Sequence, residues 1–164
     1  MDRLWSPWRY RYVSSAPVTG ECLFCEKAAS ANDQENADRE NLVVLRAEHN
    51  FILLNLYPYT SGHLMIAPYA HVATLDEAPP AALAEMMSLA ARAERAFRTV
   101  YNAAGVNLGM NLGKAAGAGV AGHIHMHVLP RWPGDVNFMT TIAETRVLPE
   151  DLLTAWEKLS AAIK

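Results

Sequence analysis

The sequence lacks several features that would assign its 164 residues to a particular class of protein. No stretch approaches the roughly 20 apolar residues that a membrane-spanning helix needs, so we expect no membrane partner. The chain has no run of basic residues and a formal net charge of -3, whereas proteins that bind nucleic-acid backbones usually carry a basic surface. The first residues have no apolar secretory core, and we therefore predict a cytoplasmic protein without a nucleic-acid partner.

Cysteine is scarce as well, since the chain contains only Cys22 and Cys25, separated by two residues. In a reducing compartment this spacing favours a metal or redox role over a structural disulfide. Zinc sites use the same spacing, and two histidines would complete a closed tetrahedral set. A thioredoxin-like redox motif has less support, because no βαβ pattern follows the pair. Free thiols and a labile disulfide stay open as alternatives.

Hydrophobic periodicity predicts a single α+β domain over residues 1–164, with no internal repeat. Apolar residues at helical spacing predict a long helix over 79–102, and a second amphipathic pattern predicts a C-terminal helix that begins at Pro149. Residues 1–20, with aromatic side chains among prolines, predict an extended arm, and 131–164 form a C-terminal extension that ends in the last helix. Short apolar runs predict the five strands of an antiparallel sheet: 42–45, 51–54, 63–67, 106–112 and 123–129.

The predicted long helix presents its apolar residues on one face. Met86 and Met87 both fall on that face, and methionine at such positions usually fills a core, so we predict that both are buried. The polar segment 30–41 predicts a surface loop or a frayed helix. The apolar face contains Leu83, Met86, Met87, Ala90, Phe97, Val100 and Tyr101.

The segment with the strongest functional pattern contains His123, His125 and His127 at alternate positions. Successive side chains of a β-strand point to opposite faces, so a strand over 123–129 would place the three imidazoles on one face. Imidazole ionises near neutral pH, and a neutral ring can attack phosphorus. We therefore interpret this segment as a catalytic site rather than as three unrelated histidines.

A glycine- and alanine-rich loop over 113–122 precedes the histidines. Glycine permits close approach of the backbone, so N–H groups of this loop, those of Gly117 and Gly119 among them, can contact phosphate oxygens. A nucleophile beside such donors is the arrangement that phosphoryl or nucleotidyl transfer requires.

The histidine segment resembles the signature of the histidine-triad (HIT) superfamily, in which HxHxH is followed by an apolar pair, here at 128–129. The resemblance covers roughly residues 22–131. It implies a HIT-like fold and a homodimer in which the long helix and a strand pair across a two-fold axis. Further matching residues are Asn55, Pro58, Gly62, His63, Pro68, His71, Asn111, Gly113 and Gly117.

Two segments, one near the start of the chain and one after the histidines, resemble one branch of the superfamily in particular. The start at 5–9, Trp-Ser-Pro-Trp-Arg, and the segment at 130–138, Pro-Arg-Trp-x-Gly-Asp-x-Asn-Phe, are similar to bacterial diadenosine tetraphosphate phosphorylases. That branch is related to the fragile-histidine-triad hydrolases. The resemblance implies an enzyme that cleaves dinucleoside polyphosphates at the α-phosphate through a covalent nucleotidyl-histidine, with phosphate or water as acceptor.

The resemblance also implies a role for individual residues. His125 matches the nucleophile. His127 matches the histidine that contacts the α-phosphate and helps to protonate the leaving group, and His63 matches a further histidine that supports this cluster. Asn55 matches the residue that binds the ribose hydroxyls, and Asn111 matches a polar position on the nucleotide-facing strand.

One position departs from many relatives, which place Ser or Gln four residues before the first triad histidine to reach the leaving phosphate. Here that residue is Gly119, which offers only its backbone N–H. Contact with the leaving group would then come from the main chain, from Lys114 or from a partner subunit.

The zinc-carrying members of the superfamily use a CxxC pair, the histidine after Pro-x-x and the first triad histidine. In this sequence those positions are Cys22, Cys25, His71 and His123. Four protein ligands close a tetrahedral site, so the zinc that the resemblance implies is structural.

Three other functions remain open. A hydrolase of nucleoside phosphoramidates or aminoacyl-adenylates would use the same chemical step with another leaving group. A metallohydrolase with a metal on the triad would need an acidic residue to activate water, and residues 123–129 contain none. A nucleotide-binding module would bind the same ligand without turnover.

Overall fold

The computed structural model describes residues 22–29, 33–135 and 150–163. Its five strands form one antiparallel sheet in the order β1-β2-β3-β5-β4, which confirms the predicted architecture. Four of the strands differ from their predicted ends by one or two residues. The strands are β1 (Val43–Arg46), β2 (Asn50–Leu54), β3 (Leu64–Pro68), β4 (Gly105–Met110) and β5 (Met126–Arg131).

The long helix and the C-terminal helix are present as predicted, and the polar segment contains a short helix. A further helix over the CxxC segment was not predicted. The predicted arm over 1–20 and Pro149 lie outside the described residues. Among the helices of the described ranges, none is long and apolar enough to cross a membrane. The helices are α1 (Leu23–Ala28), α2 (Gln34–Glu40), α3 (Pro80–Tyr101) and α4 (Leu152–Ala162), with one 3-10 turn at Lys114–Ala116.

The register of the sheet decides which side chains share a face with the last triad histidine. His127 lies opposite Met65 of β3 on one side and opposite Gly109 of β4 on the other. Directly paired residues point to the same face of a sheet. The neighbours Met126 and Val128 therefore point to the other face, where both belong to the larger core cluster.

The two faces of the sheet bury different clusters. Helices α3 and α4 pack on one face, over a large cluster that includes Ile52, Ile66 and Phe97, all fully buried. Burial of each such side chain stabilises the fold by about 1.5–3 kcal/mol relative to exposure. The opposite face, to which His127 points, carries a smaller cluster formed by Phe24, Val43, Phe51, Leu53, Met65 and Ala67.

The prediction that both methionines of the long helix are buried was half wrong. Met86 is 1% exposed, whereas Met87 is 54% exposed. Successive residues of an α-helix are about 100° apart around its axis, so a helix on a flat sheet buries only one of such a pair. Small residues take the remaining contacts with the sheet, and the buried residues of α3 are Ala82, Met86, Leu89, Ala90, Ala93, Ala96 and Phe97.

The prediction of one strand that carries the whole triad was also wrong. We expected a strand over 123–129, but β5 begins at Met126, so only His127 of the three histidines lies within a strand. Just before β5, the N–H of Ile124 donates to the carbonyl of Val72 (2.9 Å), which lies beyond the end of β3. Main-chain hydrogen bonds outside the regular ladder therefore position the first two histidines.

Candidate functional site

The middle histidine, His125, lies just before β5 and is 6% exposed. Its Nδ1 is 2.9 Å from the backbone carbonyl oxygen of His123. A carbonyl oxygen only accepts, so Nδ1 carries the hydrogen and Nε2 of the neutral ring keeps its lone pair. Burial lowers the pKa of His125 and outweighs the opposite effect of this hydrogen bond. The geometry thus makes His125 a neutral imidazole with a lone pair on Nε2.

His127 and His63 form a second pair of imidazoles beside it. The ring centroids of His125 and His127 are 5.0 Å apart, and Nδ1 of His127 is 2.9 Å from Nε2 of His63. His63 is fully buried, whereas His127 is partly exposed. Burial, together with the neighbouring His127 and His125, lowers the pKa of His63 to about 3. The buried member of the pair is therefore neutral at physiological pH.

Asn55 lies at the end of β2, next to this cluster. Its Nδ2 is 3.4 Å from Nδ1 of His63, and its Oδ1 accepts the N–H of Tyr57 at 2.9 Å. The side chain therefore holds the loop after β2 in addition to facing the cluster. Since an amide oxygen has two lone pairs, Oδ1 keeps the capacity to accept a second hydrogen bond.

The glycine-rich loop and Asn111 lie at the β4 side of the site. Asn111 follows β4 on the same alternation as Gly109, which is opposite His127. Gly117 has a left-handed conformation (φ 87°), and its N–H donates to the carbonyl of Lys114 at 3.0 Å. The amide of Gly117 is thus engaged within the loop in this conformation. Gly119 is exposed.

The four predicted metal ligands come together on the other side of the triad. Ligand atoms of Cys22, Cys25, His71 and His123 all lie within 4.8 Å of one another. Nδ1 of His123 is 3.4 Å from Sγ of Cys22, and Nδ1 of His71 is 3.3 Å from Sγ of Cys25. Tetrahedral zinc with its usual bond lengths separates sulfur and nitrogen ligands by about 3.5 Å. The four side chains therefore fit around one ion.

A main-chain group also orients His123 toward the cysteines. Its Nε2 is 2.8 Å from the carbonyl oxygen of Pro68, so Nε2 carries the hydrogen and Nδ1 presents a lone pair to the two sulfur atoms. Burial lowers the pKa of His123 and favours the neutral form that a metal requires. A carbonyl bonded to the far nitrogen is a usual way for proteins to orient a histidine ligand.

Two aromatic residues of the site were missed in the sequence. Phe24, which α1 places between the two cysteines, is 1% exposed and packs on His125 and His123, with centroid distances of 4.7 and 5.2 Å. Tyr59 packs on His63 and His127, with centroid distances of 4.7 and 5.9 Å. An aromatic residue inside CxxC was a weak signal for the first. We find no local signal in the sequence for the second.

The fold and this histidine cluster define the class of protein. The model of the HIT domain family matches residues 36–134, which is more than half of the chain. The chain therefore belongs to the HIT domain family.

Individual relatives agree with this assignment. AP-4-A phosphorylase of Mycobacterium tuberculosis (strain H37Rv) is 40% identical over 152 residues, which cover 92% of this chain and 78% of that protein. An adenylylsulfatase of Arabidopsis thaliana is 29% identical over 73% of this chain and 56% of its own length. The crystal structure of a Zn-bound histidine triad family protein from Mycobacterium smegmatis superposes with a TM-score of 0.68 at 31% identity, covering 88% of this chain and 94% of that one.

Proposed function

We propose that this HIT-family enzyme cleaves dinucleoside polyphosphates such as diadenosine tetraphosphate, and that it does so at the α-phosphate. The similarity to AP-4-A phosphorylase over most of both chains supports the substrate class. The observation that carries the mechanism is the hydrogen bond from Nδ1 of His125 to the carbonyl of His123. This bond directs the lone pair of a buried, neutral imidazole away from the main chain, as a nucleophile requires.

The proposed reaction has two displacements at phosphorus. Nε2 of His125 attacks the α-phosphate, a P–N bond forms, and the P–O bond to the leaving nucleotide breaks with its electron pair on that oxygen. Inorganic phosphate then attacks the nucleotidyl-histidine, the P–N bond breaks, and the products from diadenosine tetraphosphate are ATP and ADP. Water as acceptor gives ATP and AMP. Both displacements occur at the same phosphorus atom, beside an imidazole cluster that is already positioned before the substrate binds.

The other site residues have supporting roles in this proposal. His127 contacts the α-phosphate and assists departure of the leaving group. His63 orients His127 through the 2.9 Å hydrogen bond between their rings. Asn55 binds the ribose hydroxyls, and Asn111 faces the nucleotide. For the phosphate chain, the backbone N–H of Gly119 and the neighbouring loop serve as donors, while the amide of Gly117 would have to leave the Lys114 carbonyl to join them.

We propose structural zinc at Cys22, Cys25, His71 and His123. The ligand distances support this proposal, as does the Zn-bound relative from Mycobacterium smegmatis. With four protein ligands the ion has no open position for substrate, so it would supply cross-linking between α1 and the triad segment rather than Lewis-acid chemistry.

A homodimer is part of the proposal, and so is a cytoplasmic location. β4 lies at the edge of the sheet, and most of its residues are exposed. Leu108 of β4 and Met87 of α3 are 48% and 54% exposed, which suits a surface covered by a second copy. Light scattering on the purified chain tests this part, and a monomer at micromolar concentration contradicts it.

Product analysis with diadenosine tetraphosphate, with and without inorganic phosphate, tests the proposed function. ATP plus ADP that appear only with phosphate identify a phosphorylase, and ATP plus AMP in both samples identify a hydrolase. Acid-quenched protein should carry a nucleotidyl group on His125, detectable by mass spectrometry. No cleavage and no labelled histidine would refute the proposal.

A second candidate function is hydrolysis of nucleoside phosphoramidates or aminoacyl-adenylates. The similarity to an adenylylsulfatase favours it, because that name describes cleavage of an adenylyl compound with another leaving group. The histidine cluster would perform the same first displacement. Cleavage of a phosphoramidate by a protein that leaves diadenosine tetraphosphate intact would establish this alternative.

A further inference from the structure

The loop between β2 and β3, residues 55–63, closes on the side chain and main chain of His63. The N–H of Asn55 donates to the carbonyl of His63 (2.9 Å), and the N–H of His63 donates to the carbonyl of Thr60 (3.2 Å). The N–H of Tyr59 donates to Nδ1 of the His63 ring at 3.1 Å. A backbone amide of the same short loop thus holds the imidazole directly.

The amide of Tyr59 is the nearer of two donors that face Nδ1 of His63, the other being Nδ2 of Asn55 at 3.4 Å, and these donors decide where the hydrogens of both imidazoles lie. An N–H only donates, so Nδ1 of the neutral His63 ring is unprotonated and its hydrogen is on Nε2. That Nε2–H faces Nδ1 of His127 at 2.9 Å and donates to it. Nδ1 of His127 therefore accepts, and Nε2 of His127 carries the hydrogen.

The same contacts disfavour a positive charge on His127. An imidazolium at this position would turn an Nδ1–H toward the Nε2–H of His63, so that two donors face each other. His63 cannot readily take up the extra proton, because burial and the neighbouring imidazoles lower its pKa to about 3. A neutral His127 offers Nε2–H as a hydrogen-bond donor. This suffices for a departing nucleotide, because the last ionisation of a phosphate has a pKa of about 6.

The ring of Tyr59 packs against the same two imidazoles. Its centroid is 4.7 Å from that of His63, with an interplanar angle of 43°, and 5.9 Å from that of His127, with an angle of 31°. The side chain thus covers one side of the pair, while the main chain of the same residue bonds to the edge of His63. Loss of the ring would leave both imidazoles freer to rotate about χ2.

We propose that Tyr59 is a positioning residue, which through its backbone N–H and its ring holds His63 and His127 in the arrangement where neutral His127 presents Nε2–H to the phosphate. The part that concerns phosphate rests on the proposed function. The hydrogen positions concern the protein alone and can be measured without substrate.

The first experiment replaces the amide of Tyr59 by an ester, through incorporation of p-hydroxyphenyllactic acid at position 59, and leaves the side chain intact. Nitrogen-15 NMR of labelled histidines should show both His63 and His127 of the wild type as neutral Nε2–H tautomers at pH 7. The ester variant should show mixed tautomers and a kcat at least about tenfold lower, with KM within about threefold, because a wrong tautomer costs rate rather than binding. An imidazolium or an Nδ1–H tautomer at His127 of the wild type overturns the proposal, and so does an ester variant with unchanged tautomers and kcat.

The second experiment tests the ring with Tyr59→Ala and Tyr59→Phe. We expect Tyr59→Ala to lower kcat about ten- to hundredfold with little change in KM, and Tyr59→Phe to restore it, since the phenyl ring keeps the packing. Tyr57→Ala, in the same loop and 53% exposed, is the control for loss of an aromatic side chain. An equal loss in Tyr59→Phe and Tyr59→Ala would refute the role of the ring. If Tyr59→Ala fails to fold, the ester variant and Tyr59→Phe still decide.

The two proposals can fail separately. A wild type with the expected tautomers that cleaves no dinucleoside polyphosphate refutes the proposed function and supports the positioning role. A wild type that cleaves the substrate while His127 is an imidazolium supports the proposed function and refutes the positioning role.

Discussion

The two ends of the triad are held by opposite kinds of main-chain group. His123 is fully buried and donates to the carbonyl of Pro68, so its other nitrogen presents a lone pair to the cysteines. At the other end, the amide of Tyr59 donates to Nδ1 of His63, and Nε2–H of His63 donates to Nδ1 of His127. The hydrogen of the neutral His127 ring is therefore on Nε2. A carbonyl thus leaves a lone pair on the other nitrogen of the ring, whereas the amide leaves an N–H at the far end of the His63–His127 pair. His125, also bonded to a carbonyl, belongs in this respect with His123.

The chemistry of each imidazole therefore depends on its neighbour more than on its place in the motif. All three triad histidines are identical side chains within five residues. Their open nitrogens differ because a carbonyl accepts, whereas an N–H donates.

The largest expected effect is on turnover in His125→Ala. Removal of the nucleophile should lower kcat by about 10⁴-fold or more, with the melting temperature close to that of the wild type. Steady-state kinetics and thermal unfolding measure both. His49→Ala is the matched control, since His49 lies in the β1–β2 turn outside the cluster. An active His125→Ala protein would refute the assignment of the nucleophile.

The next effect separates the ends of the triad directly. His127→Ala should lower kcat about 10²- to 10³-fold and leave stability nearly unchanged, because it removes a donor at a partly exposed position. His123→Ala should lower the free energy of unfolding by about 2–4 kcal/mol, since it removes a buried ring and its hydrogen bond. Urea unfolding and kinetics on both variants measure this contrast. Equal loss of stability in the two would contradict the division of roles.

Removal of the metal should have a smaller effect on turnover than on stability. We expect a chelator, or Cys25→Ser, to lower the melting temperature by roughly 5–10 °C, and activity to fall only as the protein unfolds. Metal analysis, thermal unfolding and assays at several temperatures measure this. The chelator should have no further effect on Cys25→Ser. Loss of turnover in chelated protein that is still fully folded would instead indicate a catalytic metal ion bound by the three triad histidines.

The last effect is the contribution of His63 to acid sensitivity, which should be absent at neutral pH. Its folded pKa of about 3 lies below the unfolded value of about 6.5, so the unfolded chain binds more protons between these values. This contribution to stability is present above pH 6.5 and is lost as the pH falls, by about 1.4 kcal/mol for each pH unit. Urea unfolding between pH 6.5 and 4.5 should give a flatter slope for His63→Gln than for the wild type. Equal slopes would show that His63 does not titrate in this way.

The amino-acid sequence predicted much of the site because several of its patterns are local. The HxHxH spacing, the CxxC pair and the histidine after Pro68 identified the residues that the structure brings together. The apolar runs predicted five strands, since period-two and period-3.6 patterns need only a few neighbouring residues. The burial of Met87 was mispredicted because periodicity alone does not say how wide a stripe of the helix the sheet covers.

Contacts between distant parts of the chain were not predictable in this way. Phe24 packs on His123 and Tyr59 packs on His127, although about 100 and 70 residues separate the partners in the sequence. The start of β5 depends on its pairing with both β3 and β4, and the positions of the hydrogens on the imidazoles depend on individual backbone groups. No residue type encodes such groups, because every residue but proline carries the same amide and carbonyl.

Residue type and short spacing thus identified the side chains that are suited to react or to bind metal. Whether each imidazole presents a lone pair or an N–H depends on the fold. The carbonyls of Pro68 and His123 leave a lone pair on the other nitrogen of His123 and His125, respectively. The amide of Tyr59 leaves the hydrogen of His63 on Nε2. Hydrogen bonding depends on distance and direction in space, and folding alone establishes both.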